Sequence, residues 1–293
     1  MRTKSFLKGS LLLSAVTVLA FSLPAKAQLS TVQLQEWLNL PTSTSHIGNI
    51  TGNAKAAAAT YRRYCVGCHG DLGDGNGEVA QWLQPPMWPK PRDFQLGIFK
   101  CRSTPTGTLP TDEDLYDTIA RGLDRSSMPI WNTLTKDERA DLVAWIKHFS
   151  PRWQKEKPGT PIQIPAEPEV TPERVKAGQE VFGRVQCWKC HGVQGMANGP
   201  SASTLTDDLG APIWPYNFTD GSRPKCGNTD RDIYKIFMTG LDGTPMPSFV
   251  DNIKPDEAWD LVFYLRTLQP HNAFNAKEKQ IAKQLGLKPV AAQ

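Results

Sequence analysis

The chain has 293 residues, with 33 Lys or Arg against 29 Asp or Glu, a formal charge of +4. Four of those bases, Arg2, Lys4, Lys8 and Lys26, fall in the first 27 residues with no acid among them, so the rest of the chain is balanced at 29 of each sign. That balance excludes a basic surface for nucleic acid or anionic membrane, and no long apolar run follows residue 23, which excludes an integral membrane span in the processed chain.

Residues 1–27 read as a secretory signal peptide. A basic start is followed by apolar Leu11–Leu23 and by Ala25-Lys26-Ala27, which supplies the small residues a cleavage site requires. The apolar stretch is short for a membrane span, and an uncleaved anchor is the alternative. Residues 28–50 precede the first expected helix and carry no functional reading.

Cys65-Val66-Gly67-Cys68-His69 and Cys187-Trp188-Lys189-Cys190-His191 are two Cys-x-x-Cys-His runs. This spacing lets two thiols form thioethers on one edge of a porphyrin and sets the next imidazole under the iron. Each run is therefore expected to attach a c-type haem, with Cys65, Cys68, Cys187 and Cys190 holding the ring and His69 and His191 as proximal ligands. A zinc tetrathiolate or a redox dithiol would use the cysteines but would not require His after the second one in both copies.

The surroundings of the two runs repeat in order. Ala57 and Tyr61 precede the first run, Gly178 and Phe182 the second. Gly-rich stretches follow each, and then Met87-Trp88-Pro89 with Phe94 and Ile213-Trp214-Pro215 with Phe218. A lone cysteine comes next, Cys101 or Cys226, and the first copy carries an insertion of about seven residues, Arg102–Thr108. Thr111 with Asp114 and Thr229 with Asp232 predict capped helix starts, and Gly122 and Gly240 stand where those helices should end. Thr135 with Glu138 opens a further helix, with Leu142, Trp145, Ile146 and Phe149 on one face. Pro255 opens its counterpart, whose stripe is Ala258, Leu261, Val262, Leu265 and Leu268. No strand alternation is sustained. The expected organisation is a signal peptide (1–27), a first domain (28–152), a Pro-rich linker (153–170), a second domain (171–270) and a tail (271–293) with at most one short helix.

Met128-Pro129 and Met246-Pro247 are equivalent in the repeat and fall between helices. A thioether is a soft ligand that favours ferrous iron, and the following proline suits a loop that holds one side chain in place. Met128 and Met246 are thus the expected sixth ligands, whereas Met87, Met196 and Met238 are read as core methionines. His46, His148 and His271 lack counterparts in the other copy and are read as structural or surface residues. The loops after His69 and His191 are expected to supply a carbonyl for the other ring nitrogen, with Pro200 and Glu78 at the matching places. Asp74, Asn76 and Glu78 read as a solvated turn rather than a calcium loop. Cys101 and Cys226, alike in position, are expected to form a disulfide if the halves pack about a local two-fold axis; thiolate ligation of iron by one of them is the rival.

On these residues the chain resembles the class I cytochrome c family in its dihaem form. The match consists of Cys65-x-x-Cys68-His69 with Met128 and Cys187-x-x-Cys190-His191 with Met246. Tyr61 and Phe182 before the motifs, and Trp145 and Tyr264 in the closing helices, belong to it too. It covers roughly residues 53–150 and 171–270. The resemblance implies an all-α fold of two tandem cytochrome c-like domains, each wrapping one of two covalently bound haem c groups, and outer-sphere electron transfer in the periplasm. The segment Phe99–Pro110 looks like one found in dihaem cytochromes that serve periplasmic oxidoreductases, with Cys101 a departure from that pattern. The function this implies is electron carriage between redox protein partners, a donor and an acceptor, rather than catalysis. The alternatives are a haem enzyme, either a dihaem peroxidase or a thiosulfate dehydrogenase that would recruit Cys101 or Cys226 to iron, and a fixed subunit of a periplasmic oxidoreductase complex.

Overall fold

A computed structural model describes residues 41–82, 89–272 and 274–288, so the expected signal peptide and Met87 lie outside the described residues. Residues 40–293 form one unit that is mostly helical and holds two cores, one for each half of the repeat.

The first half opens with a hairpin, β1 (Thr44–Ile47) and β2 (Ile50–Asn53), turned by Gly48 at φ +56°. Sequence periodicity misses it because its buried positions are Ser45 and Gly52, not apolar residues. The hairpin is stitched to helix α5 (Lys136–His148): Ser45 Oγ donates to Ala140 O at 2.7 Å, and Ser43 Oγ to Ala144 O at 2.9 Å. A Cβ on Gly52 would overlap the Ala140 backbone.

Helix α1 (Ala54–Tyr64) leads directly into the first motif, whose residues Val66–His69 form the short helix α2. Then come α3 (Glu78–Trp82), α4 (Asp112–Arg121), α5 and α6 (Arg152–Lys155). The second half runs through α7 (Pro172–Arg184), α8 (Trp188–His191), α9 (Asp230–Thr239), α10 (Pro255–Leu268) and, in the tail, α11 (Ala276–Leu285). The expected capping boxes at Thr111, Thr135 and Thr229 are all formed.

In each half the helix before the haem motif crosses the closing helix, α1 on α5 and α7 on α10. Tyr61 meets Trp145 with ring centroids 5.7 Å apart; Phe182 meets Tyr264 at 5.4 Å. Around these pairs Leu142, Val143, Leu261 and Val262 are buried, each contributing about 1.5–3 kcal/mol. The closing helices are also tied to the preceding helix starts at equivalent places. Lys147 pairs with Asp112 at 2.7 Å, and the fully buried Arg266 with Asp230 at 2.5 Å.

Several contacts join the halves, a disulfide and a buried ion pair among them. Cys101 and Cys226 form a disulfide with Cα atoms 5.2 Å apart. The buried Arg102 guanidinium pairs with Asp242 at 2.8 Å and donates to Thr239 O at 2.6 Å. The segment after α6 runs extended beside the insertion, where Ile162 N donates to Ser103 O and Gly159 N to Leu109 O. Among the described residues no helix is long and apolar enough to cross a membrane.

Gly178 packs so closely that a Cβ there would overlap Asp260 O, whereas the equivalent position in the first half accepts Ala57. Gly178→Ala should therefore cost about 1–3 kcal/mol in denaturant unfolding, and unchanged stability would contradict this packing. The disulfide spans 125 residues, and the paired Cys101→Ala, Cys226→Ala variant should lose about 2–5 kcal/mol by the same assay.

Candidate haem sites

Both proximal histidines are held in the same way. His69 Nδ1 donates to Arg92 O at 3.2 Å, and His191 Nδ1 to Tyr216 O at 2.8 Å. A carbonyl only accepts, so this bond puts the proton on Nδ1 and leaves the Nε2 lone pair free for a metal. Burial pushes the His69 imidazole down to about 4 and lowers His191 as well, so both rings are neutral at pH 7.

These carbonyls are not in the loops directly after the motifs. The segment holding Pro200 folds instead against the motif's own backbone, with Gly199 N donating to Cys190 O and Ser201 N to Lys189 O, and it is thereby kept from the imidazole. Gly77 N makes the matching bond to Cys68 O beside Glu78. The chain reaches the imidazole at Arg92-Asp93-Phe94 and Tyr216-Asn217-Phe218. Phe94 N donates to Gly73 O and Phe218 N to Gly195 O, which fixes the return. Phe94 then stacks on His69 with centroids 4.5 Å apart, and Phe218 lies 5.0 Å from His191. Gly73 and Gly195 hold positive φ, 66° and 72°, in the turns that make this possible. The paired phenylalanines were the available sequence signal for this shell.

Cys65, Cys68, Cys187 and Cys190 carry free thiols. Burial pushes the Cys65 and Cys187 thiols up to about 12 and raises Cys68 and Cys190 above their ordinary value. Among the described residues no group of three or more His, Cys, Asp or Glu is placed to hold a metal ion. Two adjacent free thiols followed by a neutral, oriented imidazole with Nε2 unbonded fit a covalently attached haem in each half. Asp74 binds its own turn, accepting from Asn76 N at 3.0 Å and from the Asn76 amide at 2.9 Å.

Met128 and Met246 are half-buried and lie in loops of one design. Leu123 N donates to Met128 O, and Leu241 N to Met246 O. Ser126 Oγ accepts from Met128 N and donates to Leu123 O; Thr244 Oγ1 does the same for Met246 and Leu241. Gly122 and Gly240 open these loops at φ 69° and 70°, and a Cβ at either would press on the Pro129 or Pro247 backbone at 2.7 Å. Met238 is buried in the second core, but Met196 is 45% exposed and so is not the core residue expected, since the tight turn around Ala197 turns it outward. His46, His148 and His271 are exposed.

Residues 52–146 match the family model for cytochrome c oxidase, cbb3-type, subunit III, and residues 175–269 match that for cytochrome c. Comparison with curated proteins gave no match. Among solved structures, a chain of the Kuenenia stuttgartiensis reducing HAO-like protein complex is 42% identical with a TM-score of 0.69, the alignment covering 73% of this chain and 96% of that one. The duplicated site, the two family matches and this likeness together show that the chain belongs to the cytochrome c family, with two tandem cytochrome c domains and two covalently bound haem c groups.

Proposed function

We propose that the protein is an exported electron carrier in which both haem irons have His and Met as axial ligands, His69 with Met128 and His191 with Met246. On this reading the domains run over 28–152 and 171–270, joined by a Pro-rich linker over 153–170, and the periplasm is the working compartment. The observation that carries the reading is the shared construction of the two Met loops, down to equivalent hydroxyls at Ser126 and Thr244. Core methionines chosen for packing alone have no reason to sit in matched, backbone-pinned loops.

Each haem, when bound, supplies a one-electron iron couple. The chain's own part is to orient and insulate. The Arg92 and Tyr216 carbonyls set the imidazoles, Phe94 and Phe218 cover them, and the buried aromatic and aliphatic side chains of each core exclude water. With the Cys101 and Cys226 sulfurs committed to each other, neither is available as a thiolate ligand, which weighs against the thiosulfate dehydrogenase alternative. The partners on this reading are redox proteins.

A second reading, as a fixed subunit of an oxidoreductase complex, is favoured by one specific observation. The solved relative, nearly all of whose length aligns with this chain, belongs to a protein complex. Copurification of a stoichiometric larger redox protein at moderate salt supports the subunit reading, and isolation as a single chain supports the shuttle.

Two outcomes test the proposal. The proton spectrum of the fully reduced protein should contain two strongly upfield thioether methyl signals, one lost in Met128→Ala and the other in Met246→Ala. Absence of either from the parent protein would overturn that site's ligation. The pure protein should not turn over peroxide or thiosulfate, and steady turnover of either would replace the carrier reading with an enzyme.

A further inference from the structure

The two Met loops share one backbone but differ in what grips them. Asp242, four residues before Met246, is held by the first half's insertion. Its carboxylate accepts from Arg102 Nη2 at 2.8 Å, Gly107 N at 2.9 Å and the Thr106 hydroxyl. Arg102 also donates to Thr239 O, the last residue before the Gly240 turn, and Thr239 Oγ1 returns a bond to Arg102 O at 3.3 Å. The Arg102 side chain is wholly buried and Asp242 is 13% exposed.

The insertion is itself braced from behind. Arg152 Nη2 donates to Gly107 O at 2.9 Å, Ser103 O receives Ile162 N, and Ser103 Oγ donates to Asp114 at 2.9 Å. Cys101, next to Arg102, is fixed by its disulfide. The counterpart of Asp242 in the first half is Asp124. It is exposed, and its carboxylate has no partner among the described residues. The Met128 loop reaches the second half more loosely, through the exposed Arg125 guanidinium 5.4 Å over the Tyr216 ring.

We propose that the insertion Arg102–Thr108 is a strap that locks the Met246 loop, with Arg102 and Asp242 as positioning residues, so that the sixth ligand of the second haem resists displacement while Met128 in the first remains displaceable. The physical basis is local opening. A loop-borne ligand leaves iron only when the loop opens, and opening the second loop must break a buried ion pair and the hydrogen bonds around it. Small donors such as imidazole therefore enter at the first haem before the second. This rests on the His/Met reading above.

The test is an imidazole titration of the ferric, haem-loaded full chain. It is followed by the thioether-to-iron charge-transfer absorption, each haem's share being assigned in the Met128→Ala and Met246→Ala variants. The parent protein should bind imidazole more tightly at the first haem. Arg102→Gln and Asp242→Asn should each raise the affinity of the second haem about tenfold and leave the first unchanged, and Asp124→Asn should alter neither. Thr106→Val, a milder loss from the same strap, should act in the same direction if Arg102→Gln does not fold. Equal affinities in the parent protein, or variants that shift both haems alike or neither, overturn the strap while leaving the ligation intact. Absence of the thioether absorption in the parent protein overturns the ligation, and the strap with it.

Discussion

One hydrogen bond, from a proximal histidine Nδ1 to a backbone carbonyl, organises each half of this molecule. It selects the tautomer, aims Nε2, and requires a carbonyl more than twenty residues downstream to return beneath the motif. That requirement explains the Gly-rich turns at Gly73 and Gly195, the backbone bonds from Phe94 and Phe218 that close them, and the placement of those two rings against the imidazoles. The crossing of the helix before each motif with the closing helix then buries the rest of the core around a fixed imidazole.

The duplication acts as an internal control. What the halves share is the apparatus of the site: the carbonyl that accepts from the proximal histidine, the phenylalanine beside the imidazole, the pinned Met loop, and the cation–carboxylate tie of Lys147 with Asp112 and Arg266 with Asp230. What they do not share lies at the margins or between them. The β1–β2 hairpin belongs to the first half, α11 to the second, and the insertion that grips Asp242 reaches from one to the other. Duplication thus kept the local chemistry while the differences serve packing and the joint. A buried Arg102–Asp242 pair is costly to desolvate and worse to break, so it functions more as a device for one fixed geometry than as a source of stability.

The chain announced its chemistry more clearly than its architecture. The two attachment motifs and the capping boxes are side-chain signatures at fixed spacing, and each was readable. The Arg92 and Tyr216 carbonyls were not, because any residue can offer a backbone oxygen; nearness in sequence pointed wrongly to Pro200, whose segment is occupied with the motif backbone. The hairpin escaped because its inward positions are Ser45 and Gly52, although Gly48-Asn49 marks its turn. Met196 faces solvent because apolar character does not fix direction in a tight turn. The grip of Arg102 on Asp242 joins residues 140 positions apart, and only the noted insertion hinted that something in the first half had extra reach.

The central claim is that each iron at rest is capped on both faces by the protein, so that neither has a vacant coordination position. Carbon monoxide mixed with the dithionite-reduced protein tests it most directly. The account predicts that the visible spectra of both haems stay unchanged on mixing, while prompt formation of a carbonyl complex at either haem would reveal an open coordination position and contradict it.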